Sequence, residues 1–308
     1  MQLSEAKILV TGATGLVGTH VVRVLAGAEV PLNQIMAVGS RDADLRDFTQ
    51  CERIVAGCDL VIHLAAVTGG VEVHRENPGS ILYDNTVMNL NVLRACAEAG
   101  VKKFVGIGSA AAYSKEAPLP LSEEWLFKTL DLTSIHAPYN LSKLALYLQG
   151  LAYRKEKGLT AIHLIATNMY GPGDSGKTGY VIPTLVHRIK EAQAQGKTEI
   201  TVWGTPNDTR DFLYAEDAAL AIFRACETYE GEAPVNIGSG HEVSLEELAS
   251  TLCELLKFKG TLVWEKPDAP GSRRVLSIDA AEQAFGWRSR TTLKEGLEKT
   301  IAWMNTLQ

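Results

Sequence analysis

Apolar positions along the first half of the chain alternate between two rhythms. Apolar runs at Ile8-Leu9-Val10, at Ile35-Met36-Ala37-Val38 behind Gln34, within Cys58–Ala66 and within Val101 to Ile107 have the length of strands covered on both faces. Between them the apolar spacing lengthens to three and four: first Leu16, Val17, Val21, Val22 and Leu25, then a stretch from about Ile81 to Ala99 that carries Asn85 and Asn91. That spacing predicts helices with one buried face. Strand and helix in strict alternation predict a parallel sheet with helices on both faces, an α/β doubly wound fold. Ligands of such sheets gather at the carboxyl ends of the strands.

Past Leu164-Ile165-Ala166-Thr167-Asn168 the rhythm breaks. Tyr170 to Gly179 reads as a long turn-rich loop, followed by a helix from Val181 to Gln195. A loop of that length is more often functional than filler. The expected division is a Rossmann-like dinucleotide-binding domain over 1–166, rejoined by segments near 205–240 and 275–280, and a smaller α/β substrate-binding domain over 167–308. No repeat, low-complexity tract or linker interrupts the chain.

Composition narrows the partners. The 308 residues carry a net charge of −6, with no run of like charges, so nucleic acid is not an expected partner. No apolar stretch approaches the roughly 18 residues that cross a bilayer. Ser4-Glu5-Ala6-Lys7 leads directly into a strand and is no signal peptide. The cysteines Cys51, Cys58, Cys96, Cys226 and Cys253 are odd in number and scattered, which points to reduced thiols and a cytoplasmic location. Neither they nor the histidines have metal-ligand spacing, so no metal is expected.

The first strand runs into Gly12-Ala13-Thr14-Gly15-Leu16-Val17-Gly18. Gly12 permits a sharp turn, Gly15 lets backbone approach a pyrophosphate, and Gly18 lets the helix pack against the sheet. The diphosphate of a dinucleotide would rest on free N–H groups at the helix N-terminus, making Gly12, Thr14, Gly15, Leu16, Val17 and Gly18 the candidate cofactor residues of this turn. The second strand ends in Gly39-Ser40-Arg41, with no acid before Asp42. An acid there would take the adenosine ribose hydroxyls, whereas Arg accommodates a phosphate. Ser40 and Arg41 therefore favour NADP(H); the bland alternative is a solvated loop charge. Asp44 and Leu45 would border the adenine. Leu64, Ala65 and Ala66, at the end of the third strand, suit either close passage of a cofactor or tight helix–sheet packing.

The candidate chemistry lies at Tyr139-Asn140-Leu141-Ser142-Lys143, where Pro138 can open a helix and a spacing of four puts Tyr139 and Lys143 on one face. An ammonium beside a phenol favours the phenolate. Ser109, delivered by the fourth strand, can hydrogen-bond the same substrate oxygen. The three make a proton relay for carbonyl–alcohol interconversion, with hydride from a nicotinamide. In the C-terminal half, beyond Trp203-Gly204, Arg210 and the pair Arg273-Arg274 offer guanidinium forks for a second diphosphate, although each arginine alone is more often an ion-paired surface residue.

With these motifs the chain resembles the extended short-chain dehydrogenases/reductases acting on nucleotide sugars, and most closely their GDP-L-fucose synthase branch, 3,5-epimerase–4-reductases of GDP-4-keto-6-deoxymannose. The resemblance spans nearly the whole chain: Ser40-Arg41-Asp42-Ala43-Asp44-Leu45, Thr167-Asn168-Met169-Tyr170-Gly171-Pro172-Gly173-Asp174, Val181-Ile182-Pro183, Val202-Trp203-Gly204-Thr205, Arg210-Asp211-Phe212-Leu213-Tyr214 and Lys266-Pro267-Asp268. It implies NADPH as cofactor, a homodimer, and Thr167 and Asn168 beside the nicotinamide and substrate. It further implies Tyr180 and Val181 at the sugar, and Arg188, Trp203, Arg210 and Arg274 at the nucleotide diphosphate.

Two departures stand out. The branch carries an acid/base cysteine where this chain has Ala111, and an acid/base histidine where it has Tyr180. Alanine exchanges no proton, and a phenol would need an unusual shift to replace imidazole. The expected activity is therefore reduction of a GDP-linked 4-keto-6-deoxy sugar without 3,5-epimerisation. A nucleotide-sugar 4-epimerase with bound NAD, a dehydratase, the full epimerase–reductase and a non-catalytic NADP-binding regulator remain as alternatives. Should exchange at carbon persist, Tyr180, Lys177 and His136 are the groups placed to support it.

Overall fold

The structure, a computed structural model, describes residues 1–128, 131–174, 176, 179–266 and 271–307. Lys177 and the Pro267-Asp268 part of the Lys266 motif lie outside the described residues.

A six-stranded, all-parallel sheet organises the chain. It is built from β1 (Ile8–Thr11), β2 (Ile35–Val38), β3 (Leu60–His63), β4 (Lys103–Ser109), β5 (Thr160–Ala166) and, from far along the chain, Val235–Ile237. With β6 (Asn168–Tyr170), β7 (Glu199–Val202), β8 (Thr209–Arg210) and β9 (Phe212–Tyr214) intervening, that returning strand is β10, and the spatial order is β10-β5-β4-β3-β1-β2. β1 is buried along its whole length, as its apolar run requires of a central strand. It pairs Ile8 with Ile35 on one side and with Leu60 on the other.

The helices α1 (Leu16–Gly27), α2 (Phe48–Val55), α3 (Val71–Glu76), α4 (Pro78–Ala99) and α5 (Ala137–Lys157) belong to the first half. The second half supplies α6 (Val181–Ala194), α7 (Ala215–Thr228), α8 (Leu245–Leu256), α9 (Asp279–Phe285) and α10 (Leu293–Asn305). Two cores sandwich the sheet. One joins β1, β3, β4 and β5 to α1, α7 and α9; the other lies under α2, α4 and α5. A third core, around α6, α8 and α10, sits beside three two-stranded pairs: β6 with β9, β8 with β11 (Val243–Ser244), and β7 with β12 (Thr261–Trp264).

The helix expected from Ile81 begins earlier, at Pro78, where a proline ring suits a first turn. It ends at Gly100, whose φ of 71° closes it. Inside it Asn85 and Asn89 are fully buried. Asn85 Nδ2 donates to the Val67 carbonyl at 2.8 Å and its Oδ1 accepts from the Val67 N–H at 2.9 Å, clamping the loop that leaves β3.

Candidate active site

The glycine turn fits the sheet so closely that the protein itself demands two of its three glycines. Gly12 has φ +67°, and a Cβ there would come within 2.7 Å of the Ala65 nitrogen at the end of β3. A Cβ on Gly18 would fall on the Gly12 carbonyl oxygen. Gly15, by contrast, is exposed at the N-cap of α1, where the opening N–H groups have no partner within the helix. The loop after β6 folds back over this end: His20 Nε2 meets the Pro172 carbonyl at 2.9 Å, and Gly173 lies against Leu16.

At the tip of β2, Asp42 turns its carboxylate inward and accepts the Gly39 N–H at 2.7 Å. It is thereby engaged in the loop, while Ser40 and Arg41 stay exposed. Among the described residues Arg41 makes no hydrogen bond or ion pair. Asp44 is bound to Arg46 at 2.9 Å, and Arg46 reaches Asp84 on α4 at 3.2 Å. Leu45 is only 6% exposed and joins the core beneath α4. What this segment can offer an adenine is therefore backbone and Asp44, not the Leu45 side chain.

Ser109 ends β4 and caps the turn Ala110–Ala112, its Oγ accepting the Ala111 N–H at 3.2 Å. Asn140 Nδ2 donates to the Ala111 carbonyl at 2.8 Å, which fixes the first turn of α5, and with it Tyr139, to the serine strand. Lys143 Nζ lies 5.3 Å from the centre of the Tyr139 ring. Lys143 is 3% exposed, and burial lowers its pKa from 10.5 to about 8. Burial, followed by the nearby Tyr180, raises the Tyr139 phenol above its ordinary value. A spacing of four would let the lysine favour the phenolate; in the structure burial sets the opposite direction, because it disfavours the charged phenolate. A phenol that keeps its proton is the form that can donate to a carbonyl.

Beneath α5 runs a buried polar chain that the sequence pattern did not reveal. Thr11 Oγ1 and His63 Nδ1 are 2.7 Å apart, His63 Nε2 and Asn89 Oδ1 3.0 Å, and Asn89 Nδ2 donates to the Ser142 carbonyl at 3.1 Å. It links β1, β3, α4 and the residue preceding Lys143. Burial and the Lys143 charge hold His63 down to about 4, so the chain is neutral. Its one sequence signal was a polar residue closing an apolar strand.

The opposite wall comes from the C-terminal half. Asp211, fully buried, accepts from the Ser239 N–H at 2.8 Å, the Ser239 hydroxyl at 2.6 Å, the Gly240 N–H at 3.3 Å and the Leu276 N–H at 3.3 Å. Its carbonyl takes Thr167 Oγ1 at 2.9 Å and Asn168 Nδ2 at 3.1 Å. This knot brings Thr167, Asn168, Arg210 and the segment around Arg274 to one place. Arg210 Nη1 donates to the carbonyl and hydroxyl of Ser272, both at 3.0 Å. Arg273 points outward, forked on Glu242 at 2.6 and 2.7 Å. Arg274 has no ion-pair partner among the described residues, and burial together with Arg210 lowers its pKa from 12.5 to about 10. Arg210 also pairs with Asp208 at 3.7 Å, so of these two neighbouring, desolvated guanidiniums Arg274 is the one without an ion pair among the described residues, an arrangement suited to an anion. Farther out, Arg188 lies over the Trp203 ring at 3.8 Å, and Trp203 is 56% exposed, leaving an aromatic face for a planar ligand.

Tyr180 heads α6 beside Val181 and hydrogen-bonds Thr68, in the loop after β3. The two loops touch: a Cβ on Gly70 would strike the Gly179 carbonyl. Burial raises the Tyr180 phenol, so it too stays protonated. Among the described residues no cluster of three or more His, Cys, Asp or Glu is arranged for a metal.

Residues 8–238 match the model of the NAD dependent epimerase/dehydratase family. GDP-L-fucose synthase 1 of Arabidopsis thaliana is 34% identical over 98% of this chain and 94% of its own length. GDP-L-colitose synthase of Yersinia pseudotuberculosis is 29% identical over 96% of this chain and 97% of its own. Among solved structures, a GDP-L-fucose synthetase from Naegleria fowleri bound to NADP superposes with a TM-score of 0.87 at 28% identity, covering 98% of this chain and 93% of that one.

Proposed function

Because the chain belongs to the NAD dependent epimerase/dehydratase family, we propose that it is an NADP-dependent oxidoreductase of the extended short-chain type, reducing the C4 carbonyl of a GDP-linked 4-keto-6-deoxy sugar without 3,5-epimerisation. The carrying observation is the intact set Ser109, Tyr139 and Lys143 beside the two replacements Ala111 and Tyr180. The GDP-sugar names of the relatives support the substrate class, as does the NADP of the Naegleria structure the cofactor.

The residues fit that cofactor. The exposed N-terminus of α1 at Gly15 suits a diphosphate. Ser40 and Arg41, which has no hydrogen bond or ion pair among the described residues, suit a 2′-phosphate, and Asp42 directs one carboxylate oxygen to the Gly39 N–H. Bound there, NADPH would supply hydride. The chain's own part is proton delivery and orientation. Tyr139, held protonated by its burial, gives its proton to the carbonyl oxygen, while Ser109 hydrogen-bonds that oxygen and polarises it. Lys143 stabilises the phenolate that results. Asn168 and Tyr180 border the sugar. Arg210 and Arg274 take the diphosphate, and Arg188 and Trp203 the nucleoside end. In this reading residues 1–166, with the returning segments, hold cofactor, and the remainder holds substrate.

A methine beside a ketone inverts only if a base removes its proton and an acid returns one to the other face. Ala111 offers neither, and the Tyr180 phenol is pushed away from neutrality. The full epimerase–reductase is the second reading, favoured by the relatives' names. One experiment separates them: turnover of GDP-4-keto-6-deoxymannose with NADPH in deuterated water. NADPH oxidation with no deuterium at C3 or C5 supports reduction alone, and deuterium at both supports the second reading. Inertness toward every nucleotide 4-keto sugar would sink both.

We also read the protein as a cytoplasmic homodimer. Its five cysteines are unpaired, and α4 and α5 present exposed Leu82, Tyr83 and Leu148 to a second copy. No helix among the described residues is long and apolar enough to cross a membrane.

A further inference from the structure

The buried chain beneath α5 has its polar groups matched in one direction only. Asn89 Nδ2 donates to the Ser142 carbonyl at 3.1 Å, so Asn89 turns its Oδ1 to His63, 3.0 Å from Nε2. His63 Nε2 therefore carries the ring proton, and Nδ1 accepts the Thr11 hydroxyl at 2.7 Å. The Thr11 oxygen in turn accepts the Ala65 N–H at 3.4 Å. Thr11 is the last residue of β1 before the glycine turn, and the Ala65 nitrogen is the atom a Cβ on Gly12 would strike. At the other end Ser142 shares a peptide plane with Lys143, and its hydroxyl donates to the Tyr139 carbonyl at 2.7 Å. Thr11, Asn89 and Ser142 are fully buried, and His63 is 1% exposed. The Tyr139 ring is braced separately, by His74 at 5.6 Å between centroids, with His136 edge to face on His74 at 4.6 Å.

We propose that His63 and Asn89 are positioning residues for the reduction: through them the glycine turn that holds the cofactor fixes where the Tyr139–Lys143 turn of α5 stands. The inference rests on the reductase reading given above. Apolar side chains of the same shape would fill this space without desolvating a hydroxyl, an imidazole and an amide. What the hydrogen-bonded chain adds is a defined length and direction, since each bond holds its partners within about 0.5 Å. Transfer of hydride and proton to one carbonyl needs that tolerance, because a misplacement of about 1 Å can cost about 10² in rate. Burial and the Lys143 charge keep the imidazole neutral, so it offers one donor and one acceptor, as the chain requires. In this role neither His63 nor Asn89 gives a proton to substrate. They set the distance between two elements that do the chemistry.

The test compares His63→Leu, Asn89→Leu, the double variant and His63→Gln with the wild type, in turnover of GDP-4-keto-6-deoxymannose, NADPH binding and urea unfolding. Each single Leu variant should lower kcat about 10- to 100-fold, with KM and the NADPH Kd near wild type. Each also strands a buried partner and loses stability. The double variant removes both sides of the His63–Asn89 bond, so stability should recover in part while kcat stays as low as in the single variants. Glutamine supplies an acceptor and a donor in place of the ring, so His63→Gln should restore most of the lost turnover. A kcat that follows stability through the series overturns the inference, and so does wild-type kcat in Asn89→Leu. Should a Leu variant not fold, Thr11→Val cuts the chain at its far end with little change of shape; wild-type kcat there overturns the inference equally. Hydrogen exchange of the ligand-free protein needs no substrate. In Asn89→Leu, or in Thr11→Val, amides over 137–147 of α5 should exchange faster while those of α7 do not change; unchanged exchange in α5 overturns the inference. Absence of turnover by the wild type overturns instead the reductase reading, and exchange alone then decides whether the chain holds α5.

Discussion

Replacing Arg274 with Met should make the protein without ligand more stable and its grip on GDP weaker. Arg274 is charged, desolvated, beside Arg210 and without a carboxylate partner among the described residues. Its pKa falls from 12.5 to about 10. At about 1.36 kcal/mol per pH unit, that sets a ceiling of about 3 kcal/mol on what folding loses by holding the charged form at neutral pH. The side chain keeps partial contact with water, which lowers the expected figure to about 1–2 kcal/mol. Methionine preserves the apolar stem and removes the charge, so the ligand-free variant should gain roughly that much in urea unfolding. The same guanidinium should contribute about 1.5–3 kcal/mol as a charge-assisted partner of phosphate. GDP, measured by titration, should therefore bind about 10- to 100-fold more weakly. Opposite movements of stability and affinity are the signature of a group retained for a ligand. A variant that is less stable and binds GDP as well as the wild type would show Arg274 to be a structural cation.

Tyr139→Phe keeps the ring against Lys143 and His74 but removes the donated proton. Turnover should fall by about 10² or more with NADPH binding unchanged, and near-wild-type turnover would take Tyr139 out of the donor role. Arg41→Ala should weaken NADPH while leaving NADH almost untouched, since only NADPH carries the added phosphate; equal losses would make Arg41 a residue of the loop's fold. Wild-type protein should place no solvent deuterium at C3 or C5 of its substrate. The double variant Ala111→Cys with Tyr180→His should gain slow exchange, because a thiol and an imidazole titrate near neutrality. Rapid wild-type exchange would mean that another group does that work.

Local rules made much of this protein legible in its sequence. The doubly wound sheet follows from the alternation of periods 2 and 3.6. The glycine turn follows from steric necessity: Gly12 and Gly18 are fixed by contacts with Ala65 and with Gly12's own carbonyl, which any chain making this turn must meet. The spacing of Tyr139 and Lys143 is a property of one helix, and Ser109 of one strand end. What the sequence could not decide was set by groups far apart along it. Arg273 and Arg274 are adjacent and alike, yet Glu242 claims one, while the other has no ion-pair partner among the described residues. Whether Lys143 lowers the Tyr139 pKa depends on how deeply both are buried, and burial won. The Thr11–His63–Asn89 chain, the Asp211 knot and the meeting of His74 with His136 each join residues tens of positions apart. Periodicity carries the geometry of a single element. Charge balance and desolvation are sums over neighbours from many elements, and the neighbours exist only once the chain has folded.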